Sequence, residues 1–294
     1  MNAKHFDAVA YAKFVVEGIA TKLERAGRDE ARTKACWLIN HVTGAPFGDI
    51  TTKGIKPLIK EQWEALGEFL NRVIAGEPIQ YVVGNADFMG RVFKCDKRAL
   101  IPRPETEELV ATVLTAADRA TSRQIIDVGT GTGCIAISLA FECPAAEIIA
   151  TDISANALAL ARENAAAHGQ DSRIKFLQTD LLDGFEPQSA DIIVSNPPYI
   201  ADAEATSLAP EIREHEPRTA LFAGADGLGV IRRLIPQAFQ VLRPGGRLFL
   251  EIGETQSAAV KHLLEQAGYS DVTTRKDLAG HDRIAAARKN PPGN

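Results

Sequence analysis

An amide, two prolines and a phenol stand in succession at Asn196-Pro197-Pro198-Tyr199, directly after the apolar run Ile192-Ile193-Val194 and Ser195. The prolines remove two backbone N–H donors but keep both carbonyls, so the neighbourhood is stiff in φ and rich in acceptors. The Asn196 side-chain oxygen and the Pro197 carbonyl can each accept one N–H of a flat group carrying an NH₂, and Tyr199 can cover the face of that group. A nitrogen held this way presents its lone pair along one direction only. The same tetrapeptide also describes a plain rigid turn. Ile192-Ile193-Val194 reads as a buried parallel strand, and ligands of α/β sheets bind outside the carboxyl ends of strands. The choice between slot and turn therefore rests on whether such a sheet exists.

The chain from Gln124 onward supplies the pattern of one. Gln124-Ile125-Ile126-Asp127-Val128 reads as a strand, followed by Gly129-Thr130-Gly131-Thr132-Gly133 and a helix through Ile135, Ile137, Leu139 and Ala140. Glu147 to Thr151 is the next strand and ends in Asp152; Ser154 caps a helix that Gly169 stops. Ile174 to Gln178 is the third strand, leading to Thr179-Asp180-Leu181, and the fourth ends at Ser195-Asn196. Strands alternating with helices at this spacing predict a parallel sheet with right-handed crossovers.

The glycine loop lets backbone approach a ligand closely, and the helix behind it is expected to offer free N–H groups to a negative group. Asp152, about twenty residues on and at a strand end, is placed to accept both hydroxyls of a ribose. The spacing is Gly-x-Gly-x-Gly and departs from the dinucleotide fingerprint Gly-x-Gly-x-x-Gly, which favours a single nucleoside over NAD. Asp180 and Leu181 would then bracket an adenine, one at its amino group and one on its face. Asp180 reads equally as a solvated loop carboxylate.

The remainder must position these groups. Apolar residues at helical spacing run through Asp7–Val16, Ala31–Val42 with Gly44 as C-cap, and Glu61–Ala75 with Trp63, Leu66, Leu70 and Ile74, predicting a small helical domain. Gly76 to Gly84 reads as a junction, Phe88 to Phe93 as a hairpin, and Ile101-Pro102-Arg103-Pro104 as a stiff extended linker before a helix from about Glu105. Arg103 and Glu105 are candidates to face a ligand. Past the fourth strand come a helix over Ile231–Val241, a turn at Arg243-Pro244-Gly245-Gly246, a strand over Arg247–Ile252, a helix over Ser257–Ala267 and strands near Val272 and Ile284.

Composition excludes several classes. The 294 residues are 45% hydrophobic and 24% charged with a net charge of −5, an ordinary globular balance with no global basic field for nucleic acid or anionic membrane. Charges at Lys4, Asp7, Lys13 and Glu17 interrupt any signal-peptide core, and no stretch is long and apolar enough to span a bilayer, so a cytoplasmic location is expected. The four cysteines, Cys36, Cys95, Cys134 and Cys143, are scattered and fit a reducing compartment. His215 and His281 lack partners at metal spacing, and no metal site is expected.

Asp127 to Gly133 resembles the first motif of class I S-adenosylmethionine-dependent methyltransferases, and Asn196-Pro197-Pro198-Tyr199 resembles the signature of enzymes that methylate exocyclic amines of adenine or cytosine and glutamine side chains. Gly76-Glu77-Pro78-Ile79-Gln80-Tyr81, Ile101 to Glu107, Glu216-Pro217-Arg218-Thr219-Ala220-Leu221 and Asp277 to Arg283 are each similar to segments of the peptide-chain-release-factor glutamine N5-methyltransferases. The resemblance implies an α/β fold with a Rossmann-like, mostly parallel sheet and an antiparallel end, plus a small N-terminal helical domain. It also implies S-adenosyl-L-methionine as cofactor and class I peptide chain release factors as partners, methylated on the glutamine of a Gly-Gly-Gln loop, with no membrane and no direct nucleic-acid substrate. The expected division is 1–81 for substrate recognition, 82–104 as hairpin and linker, and 105–294 as the methyltransferase domain. Carried over by position, Gly129, Thr130, Gly131, Thr132, Gly133, Asp152, Asp180, Leu181 and Asn196 would hold the cofactor. Asn196, Pro197, Pro198 and Tyr199 would hold the glutamine amide, with Asn196, Pro197 and Tyr199 acting in catalysis. Some members carry an aromatic residue where Leu181 stands.

Other readings keep a place. A relative acting on a ribosomal protein shares the pattern, although the Glu216–Leu221 segment favours release factors. A nucleic-acid amino-methyltransferase shares the signature, but no basic or aromatic recognition module is clustered in the helical region. A non-catalytic binding protein would show damage at the glycine loop or at Asn196, and both are intact. Glu216 and Arg218 either orient the substrate loop or form a surface charge pair.

Overall fold

Helical spacing in the first eighty residues yields five helices in the computed structural model, which describes residues 6–116 and 124–290. They are α1 (Ala8–Arg25), α2 (Ala31–Thr43), α3 (Phe47–Ile50), α4 (Lys60–Ile74) and α5 (Ile79–Val83). Asp7 caps α1 through its carboxylate, and Gly44 closes α2 in the left-handed conformation. The apolar stripes meet in one core that includes Val15, Ile19, Leu38, Ile39, Leu66 and Leu70. The junction expected over Gly76–Gly84 is in part helical: Pro78 fixes φ ahead of Ile79, and α5 buries Ile79, Tyr81, Val82 and Val83.

The chain divides into two compact units, one made of residues up to Gly84 together with Ala209–His215, the other of Asn85–Leu208 and Glu216 onward. The late segment is tied into the first unit by Glu211, whose Oε1 lies 3.2 Å from Lys34 Nζ and 3.9 Å from an Arg28 nitrogen. Such half-buried contacts, unlike exposed pairs, are only partly screened by solvent. The ends of the expected domains, 1–5 and 291–294, and the stretch 117–123 lie outside the described residues.

The second unit opens with the hairpin β1 (Asn85–Phe88) and β2 (Arg91–Lys94), then α6 (Pro104–Ala116). Then follow β3 (Gln124–Val128), α7 (Cys134–Glu142), β4 (Glu147–Asp152), α8 (Ala155–Ala167), β5 (Ile174–Gln178) and β6 (Ala190–Ser195). Two short helices, α9 (Pro210–His215, which belongs to the first unit) and α10 (Arg218–Leu221), precede α11 (Gly229–Val241), β7 (Leu242–Glu251), α12 (Ser257–Gln266), β8 (Tyr269–Lys276) and β9 (Asp282–Lys289).

The sheet order is β5-β4-β3-β6-β7-β9-β8, parallel from β5 to β7, with β9 antiparallel to both its neighbours. Strands covered on both faces lose polar alternation, which is why Ile125–Val128 and Ile192–Ser195 are buried without interruption. Helix α7 is buried at every residue from Cys134 to Ala140, as a helix apolar on all sides must be. Arg243-Pro244-Gly245-Gly246, expected as a turn, lies within β7 as a bulge. Pairing starts at Ala190 with Leu242, shifts, and resumes at Ile192 with Arg247. A strand holding Pro and two Gly keeps its place in this way because the bulge removes them from the ladder. Order reverses between β3 and β6, and the carboxyl ends of those neighbours diverge into the glycine loop and the Asn-Pro-Pro-Tyr loop, the switch point where ligands bind in such sheets.

Candidate active site

A cavity of about 360 Å³ opens at that switch point, a volume within the range of small-molecule sites. Its lining includes Gly129, Thr130, Gly131 and Thr132 after β3, Asp152 at the end of β4, Asp180 and Leu181 after β5, and Asn196 and Pro198 after β6. Gly133, Pro197 and Tyr199 stand outside the lining. Gly133 instead meets α8, where an added Cβ would lie 3.1 Å from Ala161 Cβ. The two sides are pinned to each other by Ser195 Oγ, which donates to the Val128 carbonyl at 2.7 Å.

The glycine loop engages several of its own N–H groups within the fold. Gly129 and Thr130 donate to the Thr151 carbonyl, Gly131 to Asp152 Oδ2, Gly133 to the Thr130 carbonyl and Ala136 to Asp127 Oδ2. A pyrophosphate could use those particular N–H groups only by displacing their acceptors. Gly129 and Gly131 have φ of +73° and +57°, and a Cβ at Gly129 would meet no protein atom within 4 Å, so its absence leaves cavity space free.

The acids around the loop have different surroundings. Asp152 accepts Gly131 N–H at 3.0 Å and Ser154 N–H at 2.8 Å, one on each oxygen, leaving lone pairs on both for further donors. Burial pushes its pKa upward against those hydrogen bonds. Asp180 is held by Arg233 at 2.6 Å, a partner that sequence reasoning did not anticipate. Leu181 sits at φ +55°, a left-handed conformation that a branched aliphatic residue adopts only when its surroundings impose it. Here Thr151 Oγ1 donates to its carbonyl at 3.3 Å and Gln237 accepts the next N–H at 3.1 Å. Asp127 is fully buried, accepts Thr130 Oγ1 and Ala136 N–H on Oδ2, and leaves Oδ1 without a partner among the described residues. Burial drives its pKa up to about 7.

Asn196 donates its Nδ2–H to Thr106 Oγ1 at 3.0 Å, and Oδ1 has no hydrogen bond among the described residues. Thr106 in turn donates to Glu251 Oε2 at 2.7 Å, and the Tyr199 hydroxyl donates to Glu251 Oε1 at 3.3 Å. Glu251 closes β7, is 1% exposed, and burial raises its pKa to about 7. Burial and this carboxylate push the Tyr199 phenol upward as well. Thr106 and Glu251 escaped the sequence reading. The signal was a charged residue inside Leu248-Phe249-Leu250-Glu251-Ile252, since a carboxylate in an apolar run is buried only with partners. Asp127 in Ile125-Ile126-Asp127-Val128 carries the same signal.

Glu216 and Arg218 do not pair with one another. Glu216 is buried, accepts the Ile101 N–H at 3.1 Å and bonds Arg103, fixing the Ile101–Pro104 segment at the cavity; Arg218 stacks on Phe222 with its guanidinium 4.5 Å from the ring centroid. Arg103 lines the cavity, whereas Glu105 does not.

The donor set suits S-adenosylmethionine. Asp152 accepts one backbone N–H on each oxygen and keeps further lone pairs that hydroxyl donors can use, and the N–H groups of Gly129, Thr130, Gly131 and Gly133 are already bonded within the fold. Fold and site thus define a class I S-adenosylmethionine-dependent methyltransferase. Residues 105–219 match the methyltransferase small domain, and 15–84 match the PrmC N-terminal domain. A 16S rRNA methyltransferase from T. thermophilus, solved in complex with AdoMet and guanosine, superposes with a TM-score of 0.52 at 20% identity, over 70% of this chain and 50% of that one, a likeness of fold. The release factor glutamine methyltransferase of Cereibacter sphaeroides is 44% identical over 91% of this chain and 94% of its own, and that of Caulobacter vibrioides is 39% identical over 92% and 93%. The chain belongs to the release factor glutamine methyltransferase family. Among the described residues no helix is long and apolar enough to cross a membrane, and no cluster of His, Cys, Asp or Glu could hold a metal ion.

Proposed function

We infer that this protein transfers a methyl group to the side-chain amide nitrogen of the glutamine in the Gly-Gly-Gln loop of class I peptide chain release factors, in the cytoplasm. The observation that carries the reading is the Asn196 amide at the cavity wall, its NH₂ engaged by Thr106 and its oxygen left over as an acceptor. S-adenosylmethionine, when bound, supplies a methyl on a sulfonium that is already electrophilic. The chain's task is to present a poor nucleophile, because an amide lone pair is delocalised into its carbonyl. Asn196 Oδ1 and the Pro197 carbonyl would accept the two N–H bonds, align the nitrogen and stabilise the positive charge developing on it. Asp152 would hold the ribose, with Asp180 and Leu181 beside the adenine. Among the described residues no His or Lys lines the cavity, and the proton released after transfer would go to water rather than to a dedicated base.

The helical unit is proposed to engage the release factor. Its α1 and α4 form a groove with Phe14 75% and Trp63 44% exposed, apolar surface of the kind that partner proteins cover. The test is transfer of labelled methyl to a purified class I release factor, beside its Gly-Gly-Ala variant, a ribosomal-protein pool and DNA. Label on the wild-type factor that vanishes in the variant is expected. Label only on ribosomal protein or DNA overturns the substrate assignment.

A further inference from the structure

We propose that Glu251 is a positioning residue which, through the Thr106 hydroxyl, sets which end of the Asn196 amide faces the substrate. The inference rests on the reading of Asn196 as the acceptor for the glutamine amide. An asparagine side chain is nearly symmetric in shape, so packing alone does not distinguish its oxygen from its NH₂. Hydrogen-bond polarity does. Ionised Glu251 can only accept, so the single proton of Thr106 Oγ1 goes to it at 2.7 Å. The Thr106 oxygen is then an acceptor only, and Asn196 must offer it Nδ2–H, the 3.0 Å contact observed. The amide oxygen is thereby directed away from Thr106 and kept for a ligand donor.

Protonation of Glu251 reverses the polarity. The carboxylic acid can donate to Thr106 Oγ1, whose own proton then turns toward Asn196, and Asn196 would rotate to present its oxygen there. Its NH₂ would face the substrate NH₂, donor against donor. No atom leaves or joins; one proton is added to Glu251 and the hydroxyl rotates. The groups around this carboxylate are Glu105 and Thr106 on α6, Cys134 on α7, Tyr199 after β6 and Arg283 on β9. Arg283 forms its own ion pair with Asp277 at 3.3 Å and donates to the Ile252 carbonyl, so it favours the charged form of Glu251 without a direct salt bridge. Burial opposes it, which places the change of state near neutral pH.

The full-length protein is tested with labelled S-adenosylmethionine and a class I release factor. Thr106→Val keeps shape but removes the hydroxyl, and is expected to lower kcat by roughly 10- to 100-fold, the scale of a lost charge-stabilising contact. Calorimetric affinity for S-adenosylmethionine stays within a few-fold, and Thr106→Ser recovers most of the lost turnover. Wild-type kcat falls on acidification through neutrality, and this limb is absent in Glu251→Gln, which preserves volume. Because Thr106→Val could fold poorly, the substrate-free protein supplies a second reading. The Asn196 side-chain NH₂ resonances, assigned by their loss in Asn196→Ala, should move with pH near neutrality in the wild type and stay fixed in Glu251→Gln. Full turnover in Thr106→Val, no recovery in Thr106→Ser, or an acid limb or moving resonances in Glu251→Gln would each overturn the proposal. Pinned resonances that behave as expected, with no label on the release factor, would instead refute the substrate reading alone.

Discussion

Gly224 and Gly227 stand in one turn outside the cavity, and substituting each by Ala separates backbone strain from misplacement of the Asn196–Tyr199 loop. Both have positive φ, +83° and +71°, so each Ala variant pays about 1–2 kcal/mol for an L-residue in the left-handed region. A Cβ at Gly224 meets nothing within 4 Å, whereas one at Gly227 would lie 2.3 Å from the Tyr199 carbonyl oxygen, 2.9 Å from Gln256 Nε2 and 3.0 Å from Ala201 N. The turn has little room to retreat, being fastened by Leu228 N–H to Asp226 and Gly229 N–H to the Ala223 carbonyl. Gln256 Nε2 binds both the Tyr199 and Gly227 carbonyls, so the clash and its clamp act on the same atoms. Ordinary contact would require a displacement of about 1 Å at Tyr199, which in a positioned site costs on the order of 100-fold in rate. Scanning calorimetry should therefore show a fall of a few degrees for both variants. Methyl transfer to the release factor should fall about 100-fold in Gly227→Ala and stay within a few-fold of wild type in Gly224→Ala. Equal rates in the two variants would refute the link between this turn and the geometry of Asn196–Tyr199.

Asn196→Ala should cut kcat by roughly 100- to 1000-fold while calorimetric affinity for S-adenosylmethionine changes by less than about tenfold; a large loss of binding would reassign the residue to the cofactor. Asp152→Ala should weaken S-adenosylmethionine binding by at least tenfold, since hydrogen bonds to a charged group contribute about 1.5–3 kcal/mol each, and unchanged affinity would remove the ribose role. Asp127 and Glu251 are both held near pKa 7 by burial, above the ordinary carboxylate values of 3.8 and 4.5. The folded state thus binds protons that the unfolded state has released, and the stability these groups contribute is full below about pH 4 and lost as pH rises to about 7. The Tm difference between Glu251→Gln and wild type should accordingly rise in favour of the variant from pH 5 to pH 8; a constant difference would contradict the assignment.

The parts of the site that lie on one stretch of chain were legible before the fold was known. Strands such as Ile125–Val128 and Ile192–Ser195 announce burial on both faces by apolar residues without polar alternation, Asp127 being the one charge among them, and the loops after them carry Gly129–Gly133 and Asn196–Tyr199. Asp152 followed from its place at a strand end. What could not be read depends on separations that only topology closes: Thr106 reaches Glu251 across 145 positions and Asn196 across 90, and Arg103 reaches Glu216 across 113. Helix α5 was hidden because Gly76-Glu77-Pro78 looks like a break, although a proline just before the first turn also begins a helix. Nor was it legible that several N–H groups of the glycine loop and of α7 are engaged locally, with Thr151, Asp152, Thr130 and Asp127 supplying acceptors within reach.

This last difference bears on why a loop so close to a dinucleotide motif serves a nucleoside sulfonium. A loop meant for pyrophosphate must leave its backbone donors open, and a nearby carboxylate would repel the ligand. Here Asp152 takes Gly131 N–H on one oxygen and Ser154 N–H on the other, so the acid shapes the loop and places a carboxylate beside it. The same carboxylate retains lone pairs that hydroxyl donors can use. With the proposed ribose contact, one side chain would disfavour one cofactor class and favour another, and Asp152→Asn, which keeps the size but offers an NH₂ to one of those N–H groups, should loosen the loop as well as that contact.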